Sequence, residues 1–198
     1  MKIVTALLAL LGLLTLVVTG LVYFGSRDYV DQVAAYQAIL QKTENRSPPA
    51  AGSAAEAAAL TRIRSYFGDI NVDSVKALTA STYASDAWLN DTLVTKDNGN
   101  DIEQYFLETA EKADSVNVDF DRIVRDGDDY YLHWTMRIRS LKLNDGQTLI
   151  SVGMSHMRLD EDGLILMHQD FWDSSSGLFV HLPVVGSLTK ALRNLVAH

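Results

Sequence analysis

Cysteine is absent from the chain. Disulfides, thiolate nucleophiles and zinc ribbons built on cysteine are therefore excluded. A lipid anchor attached through an N-terminal cysteine is excluded for the same reason. The absence is compatible with an oxidising compartment but does not require one.

Positive charge is scarce. The 17 lysines and arginines are outnumbered by 25 aspartates and glutamates, which gives a formal net charge of -8. Proteins that bind nucleic acids need basic surfaces that neutralise phosphates. Nucleic acid is therefore not expected as a partner.

Motifs that hold metals or phosphates are also missing. His133, His156, His168 and His181 are not spaced as metal ligands are, and no acidic residue stands at the offsets that metal sites use. There is no glycine-rich phosphate loop and no nucleophile elbow of a Ser-His-Asp hydrolase. The sequence therefore predicts neither a metal nor a diffusible cofactor.

Charged residues are absent from Ile3 to Phe24, a run made mostly of Leu, Val, Ala and Thr. At about 1.5 Å per residue, a helix of this length crosses a hydrocarbon core of roughly 30 Å. The alternative is a cleaved secretory signal, with Lys2 as its positive end and a small-residue site near Gly20. The apolar run continues past Gly20 to Tyr23 and Phe24, which favours a retained membrane anchor over residues 1–25.

Between the anchor and the main domain, residues 26–53 are predicted to form a helical stalk followed by a linker. Pro48, Pro49 and Gly52 interrupt helical periodicity among small residues that have little to bury. The main domain is predicted over residues 54–183. Residues 184–198 are predicted to form an amphipathic helix that packs on the domain or lies on the membrane.

Within the main domain the hydrophobic period changes from that of helices to that of strands. Helices are predicted from Ala54 to the glycine at position 68, over residues 72–80, and from an N-cap at Asn100 or Asp101. Residues 83–94 are predicted to be irregular or weakly extended. Four strands follow, over residues 116–124, 130–141, 147–159 and 164–174. Short Asp-Gly turns between them require antiparallel pairing, so the fold class is α+β.

Several segments resemble one known family. They are Asp162-Gly163-Leu164-Ile165 leading into His168-Gln169-Asp170-Phe171-Trp172-Asp173, then Tyr130-Tyr131-Leu132-His133-Trp134-Thr135-Met136, Val152-Gly153-Met154-Ser155 and Leu182-Pro183-Val184-Val185-Gly186. Together with the order of elements, they resemble the nuclear transport factor 2 (NTF2)-like superfamily and its SnoaL-like branch, over residues 57–182. The resemblance implies a cone in which helices cover the concave side of a curved antiparallel sheet. Its members include isomerases, cyclases, epoxide hydrolases and inert scaffolds, so the fold alone does not assign a function.

The last predicted strand carries the candidate catalytic pair. His168, Asp170 and Trp172 share one face, whereas Met167 and Phe171 share the other. The resemblance implies that the face with the carboxylate and the indole lines the cone. Asp170 would then accept or donate a proton with His168 as its partner. The alternative is that both side chains face solvent or bond across strands.

Further residues are predicted to contact a ligand. Trp134 and Met136 share a face of the second strand, where aromatic and thioether side chains make a wall apolar. Gly153 and Ser155 on the third strand would leave space, unless Gly153 marks a close approach of the chain. The resemblance adds Trp88 and Asp91 at the pocket mouth and Tyr105 on the helix.

The predicted function is a membrane-tethered domain that binds a small, largely apolar molecule. The resemblance implies isomerase, cyclase or hydrolase-like acid–base chemistry without a cofactor, whereas a lipid or ligand carrier and an envelope-assembly scaffold are the alternatives. Lys2 on one side of the apolar run and Arg27 and Lys42 on the other hardly discriminate the orientation. An N-terminal anchor of this kind usually leaves its tail in the cytoplasm, so we expect a single-pass protein of the bacterial inner membrane with a periplasmic domain. The resemblance also implies a homodimer through the open sheet face, with contributions from Tyr131, Thr135 and Met154.

Overall fold

The computed structural model describes residues 12, 15–20, 23, 31–141 and 144–197. The chain divides into two compact units, residues 1–37 and 38–198. The predicted anchor at residues 3–24 lies mostly outside the described residues. Among those that are described, no helix is both long enough and apolar enough to cross a membrane.

From residue 31 onward, where the structure describes the chain continuously up to residue 141, four helices precede the long strands. They are α1 (Gln32–Lys42), α2 (Ala54–Gly68), α3 (Val72–Thr82) and α4 (Gly99–Lys112). Ser53 caps α2 by accepting from the amide of Glu56, and Asn71 caps α3 in a reciprocal capping box. The predicted start of α4 at Asn100 or Asp101 is wrong. Asn98 is the cap, because its side-chain oxygen accepts from the Asp101 amide at 2.9 Å.

Six strands form one sheet. They are β1 (Tyr83–Asn90), β2 (Thr95–Lys96), β3 (Ser115–Asp126), β4 (Asp129–Arg139), β5 (Leu149–Leu159) and β6 (Ile165–Trp172), in the order β2-β1-β6-β5-β4-β3. The four long strands predicted from period-two alternation are confirmed, and neighbours from β3 to β6 are antiparallel. The α+β class with helices on a curved antiparallel sheet is likewise confirmed.

Strand β1 corrects the prediction of an irregular segment at residues 83–94. It pairs in parallel with β6, so that Leu89 lies opposite His168. The register shifts between Tyr83 and Trp88, and this irregularity breaks the alternation by which a strand is recognised in a sequence. The pairing matters for the site because it places Tyr83 and Leu89 beside the catalytic candidates.

The core lies between the helices and the inner face of the sheet. Aromatic side chains of α2, α4 and β3 meet there edge to face, with Phe67 in contact with Tyr66, Phe106 and Phe120 at ring-centroid distances of 5.1, 5.9 and 5.6 Å. Such pairs add roughly 0.5–1.5 kcal/mol each beyond the area that they bury. This aromatic layer forms the inner end of the space described below.

Two peripheral segments differ from expectation. Pro48 and Pro49 were predicted to lie in a linker with nothing to bury, but both are buried, and Arg125 Nη1 donates to the carbonyl of Pro49 at 2.9 Å. The C-terminal helix α6 (Val185–Val196) forms as predicted. Its apolar face is not covered, since Leu188 and Leu195 are 61% and 76% exposed.

Between β6 and α6, the chain makes one short helix, α5 (Ser174–Gly177), and a 3₁₀ turn at Phe179–His181. Asp173 caps α5, because its carboxylate accepts from the amide of Ser176. This short helix carries Gly177 and the adjacent Leu178 to one end of the space between helices and sheet. The chain after β6 therefore contributes to the same space as the strands.

Candidate functional site

A cavity of about 170 Å³ lies between the helices and the inner face of the sheet. Most of its wall is apolar: Phe67, Ile70, Leu89, Leu93, Phe106, Val116, Val118, Phe120, Trp134, Met136, Ile138, Trp172 and Leu178. The polar side chains on the wall are Asp91, Tyr105, Thr109, Ser155, His168 and Asp170. An engineered cavity of about 150 Å³ holds benzene, so this space has the size for a molecule of about one ring.

The register between β5 and β6 brings the polar group together. Ser155 lies opposite Asp170 and Gly153 lies opposite Trp172, and paired residues project to the same face of a sheet. His168, Asp170 and Trp172 accordingly line the cavity, as the sequence predicts. The alternative in which this face turns to solvent does not apply, because His168 is buried and the Asp170 side chain is 17% exposed.

A hydrogen-bond chain runs from Tyr83 through His168 to Asp170. Tyr83 Oη lies 2.7 Å from His168 Nδ1, and His168 Nε2 lies 2.9 Å from Asp170 Oδ1. Burial raises the pKa of Tyr83 well above its ordinary value, so the phenol stays protonated and can donate a hydrogen bond to Nδ1 of His168. With Tyr83 as the donor to Nδ1, the Nε2 atom of His168 is left to donate to Asp170 Oδ1.

Ser155 connects the carboxylate to the indole wall. Trp134 Nε1 donates to Ser155 Oγ at 3.0 Å, and Ser155 Oγ donates to Asp170 Oδ1 at 2.5 Å. Oδ1 of Asp170 thus accepts from both Ser155 and His168. Within the described part of the chain no group donates to Asp170 Oδ2, so this oxygen is available to a ligand.

A second carboxylate, Asp91, lies beside the exposed Leu93 at the end of the cavity. Its Oδ1 accepts from the amides of Leu93 and Val94 at 2.9 and 2.8 Å, and its Oδ2 accepts a short hydrogen bond from Tyr105. The pKa of Tyr105 is raised by burial and then by the negative charge of Asp91, so Tyr105 acts as a donor. Trp172 Nε1 donates to the Asp91 carbonyl at 2.8 Å and joins this turn to β6.

Nine side chains are predicted from the sequence to take part in catalysis or to contact a ligand, and eight of them line the cavity. Their functional roles stay predictions. They are Asp91, Tyr105, Trp134, Met136, Ser155, His168, Asp170 and Trp172. Trp88 does not, because side chains alternate along β1: Leu89 faces the cavity, whereas Trp88 lies opposite Met167 on the other face. Sequence reasoning missed Tyr83, whose strand was not recognised, and the cavity-lining Phe67, which the sequence marks only as a helical core position.

The sequence also suggested that Gly153 leaves space for a ligand. The structure places the Trp134 ring there instead, since a Cβ added at Gly153 would come within 2.4 Å of Trp134 Cζ2 and 2.8 Å of Trp172 Cβ. Gly153 therefore marks a close approach, which was the alternative reading of a glycine within a strand. It allows the Trp134 indole to lie across β5 and reach Ser155.

The model of the SnoaL-like domain matches residues 63–168, more than half of the chain. The chain belongs to the SnoaL-like domain family. The match covers the sheet from β1 into β6 and includes His168, and it ends before Asp170 and Trp172. No curated protein matches this SnoaL-like chain.

Solved structures share the SnoaL-like fold at low sequence identity. An LEH-like epoxide hydrolase of M. tuberculosis is 14% identical, with 71% of this chain and 96% of that chain covered at a TM-score of 0.52. A hypothetical protein of Catenulispora acidiphila with a ketosteroid isomerase-like fold, in complex with trimethylamine, is 17% identical, with coverage of 61% and 88% and a TM-score of 0.52.

A third structure, from Jannaschia and assigned as a SnoaL-like polyketide cyclase, is 11% identical, with coverage of 63% and 89% and a TM-score of 0.51. The names of the first and third proteins give two different activities, and that of the second gives only a fold. At such low identities the similarity shows the fold of this SnoaL-like domain but not its function. The function has to be inferred from the residues of the cavity.

Proposed function

We propose that this SnoaL-like domain binds a small, largely apolar molecule in its cavity, and that Asp170 exchanges a proton with that molecule. The observation that carries the proposal is the hydrogen-bonded chain Tyr83–His168–Asp170, which ends on a carboxylate oxygen facing an apolar space. Isomerisation, cyclisation or water addition of this kind proceeds on positioned acids and bases. No cofactor is required.

His168 acts in this scheme as a positioning residue. With Tyr83 on Nδ1, its Nε2 hydrogen orients Asp170 Oδ1 and leaves Oδ2 to meet the ligand. Ser155 supports the same oxygen from the neighbouring strand. Trp134, Trp172 and Met136 form walls that exclude water from the reacting group.

The test begins with native mass spectrometry of the full-length protein, to detect a co-purifying small molecule. Asp170→Asn keeps the size of the side chain and removes its charge. An enzyme retains the molecule in this variant but no longer converts it, whereas a carrier retains it and never converts it. A domain that binds no molecule at all would contradict the proposal and favour a scaffold.

We further propose that residues 3–24 anchor the protein in the bacterial inner membrane and that the domain lies in the periplasm. The uncharged run from Ile3 to Phe24 supports this placement. The expected result is that the protein stays in the membrane fraction at high pH and that protease added to spheroplasts digests the domain. Full release into the soluble fraction would contradict the anchor.

Homodimerisation through the outer sheet face is the last part of the proposal. Ile150, Val152 and Phe171 are 61%, 66% and 43% exposed, so this face presents apolar side chains to water. Met154 lies opposite Phe171 in the sheet and extends the patch. Val152→Asp should shift the protein from dimer to monomer in analytical ultracentrifugation; a monomeric unmodified protein would contradict the dimer.

A further inference from the structure

The charges on the cavity wall are of one sign. Asp91 and Asp170 contribute two carboxylates, and no lysine or arginine lines the cavity among the residues that the structure describes. His168 is the basic side chain present, and both of its ring nitrogens already have partners. The negative charge of the wall is therefore not neutralised by a cation of the domain itself.

The two carboxylates are held in different ways. Asp91 has three donors, the amides of Leu93 and Val94 and the hydroxyl of Tyr105. Asp170 also lines the space, with two donors on Oδ1 and none on Oδ2 among the described residues. A ligand group that donates a hydrogen bond and carries a positive charge would complement Asp170, whereas an anionic ligand would be repelled by both side chains.

The rest of the wall suits the apolar part of such a cation. Trp134, Trp172, Phe67 and Phe106 line the space, and aromatic faces attract ammonium groups most strongly where water is excluded. Aromatic rings combined with a nearby carboxylate are the arrangement that recognises alkylated ammonium groups. A carboxylate in an apolar space is costly to bury alone, and a bound cation would offset this cost.

We propose that the ligand of this cavity carries a basic nitrogen: it is a small alkylamine, bound as its ammonium ion, with the nitrogen near Asp170 and the alkyl groups against the indoles. The proposal rests on the proposed function and narrows its ligand class. It excludes carboxylic acids and acyl phosphates, which would be repelled by a wall with two carboxylates and, within the part of the chain that the structure describes, no lysine or arginine.

The experiment compares three probes of similar size and different charge on the full-length protein at constant ionic strength. tert-Butylammonium is the cation, tert-butanol the neutral molecule and pivalate the anion, with binding measured by isothermal titration and by the fluorescence of the tryptophans. We expect tert-butylammonium to bind about tenfold more tightly than tert-butanol, because its charged N–H group meets Asp170 and the aromatic walls. Pivalate should bind more weakly than either.

Charge-matched variants identify the source of the preference. Asp170→Asn should weaken tert-butylammonium binding about tenfold and tert-butanol binding by a clearly smaller factor, because only the ammonium loses an ion pair. Asp97→Asn is the control, because it removes the same charge from an exposed side chain that does not line the cavity. This control should change binding of each probe by less than about twofold, since exposed charges act weakly through water.

The outcomes separate the two proposals. If tert-butanol binds as tightly as tert-butylammonium, or if Asp170→Asn leaves the cation bound as before, the amine proposal is overturned and the cavity remains a site for neutral molecules. If none of the three probes binds while thermal unfolding shows a folded protein, the proposed function is overturned together with it.

Discussion

The indole of Trp134 occupies the position at which residue 153 would carry its Cβ. Only glycine fits there, because an added Cβ would lie 2.4 Å from Trp134 Cζ2. The indole reaches across β5 through this gap and donates to Ser155, which in turn donates to Asp170. A backbone position without a side chain thus sets the geometry of the candidate proton acceptor.

Gly153→Ala should therefore displace Trp134 and lower the free energy of unfolding by about 1–3 kcal/mol, the usual cost of overpacking a core. Urea unfolding of both proteins measures the difference. Gly68→Ala is the matched control, because a Cβ at Gly68 meets no atom within 4 Å. Equal stability of Gly153→Ala and the parent would show that the indole has room to move.

Tyr83→Phe should destabilise the domain by about 1–3 kcal/mol, because it leaves the buried Nδ1 of His168 without its donor. Nitrogen chemical shifts of the imidazole should then show a loss of the pure Nε2-hydrogen tautomer. Tyr131→Phe, on the outer face of the sheet, should cost less than about 0.5 kcal/mol. An unchanged imidazole tautomer in Tyr83→Phe would contradict the assigned direction of this hydrogen bond.

Val118→Phe should fill part of the cavity, because Val118 lines it from β3. Binding of a neutral probe such as tert-butanol should fall at least severalfold, with little change in fold, as judged by circular dichroism. Val124→Phe makes the same change on the same strand at a side chain that is 40% exposed and lies outside the cavity wall. Similar losses in the two variants would argue against binding in this space.

Stability should fall as the pH drops below about 6.5. Burial lowers the pKa of His156, although its 2.7 Å hydrogen bond to Asp129 acts in the opposite direction. The imidazole is therefore protonated less readily in the folded state than in the unfolded state. The contribution of His156 to the free energy of unfolding is fully present above the pKa that it has in the unfolded state. It is lost as the pH falls toward the lower pKa that it has in the folded state.

At lower pH, Asp129 adds a second loss. Burial opposes ionisation of Asp129, but hydrogen bonds from Arg158 and His156 outweigh this effect and lower the pKa of Asp129. Its contribution to the free energy of unfolding is therefore present above about pH 4 and disappears below.

Unfolding in urea between pH 8 and pH 5 measures the His156 step. His156→Gln should flatten the curve in that range; an unaltered slope would assign the step to another group.

The strands that could be predicted from the sequence are those that alternate regularly and pair with a strand close in the chain. β3 to β6 alternate along their length and are joined by short turns, so their pairing follows from neighbours in the chain. β1 has only the two-residue strand β2 as a neighbour close in the chain. Its other partner, β6, lies far along the sequence, and the shift between Tyr83 and Trp88 disturbs its alternation. Its extended conformation is a consequence of tertiary pairing.

The same distinction applies to the site. Alternation along β6 places His168, Asp170 and Trp172 on one face, and the resemblance selects this face as the one that lines the cavity. Ser155 follows from the alternation of the neighbouring strand β5. Trp88 was placed from the resemblance rather than from a register, and it faces the opposite side. Tyr83 could not be found in this way, because its hydrogen bond to His168 spans 85 positions of the chain.

The buried prolines before α2 bear on where the chain can be shortened. Arg125 donates to the Pro49 carbonyl and to Glu56, at 2.9 and 2.5 Å, and so ties the end of β3 both to the segment ahead of α2 and to α2 itself. Excising everything before position 54 would remove the Pro49 acceptor together with both buried prolines, and would expose to water the surface that they cover. A truncated protein intended for crystallisation or screening should accordingly start no later than Ala38, where the second compact unit begins.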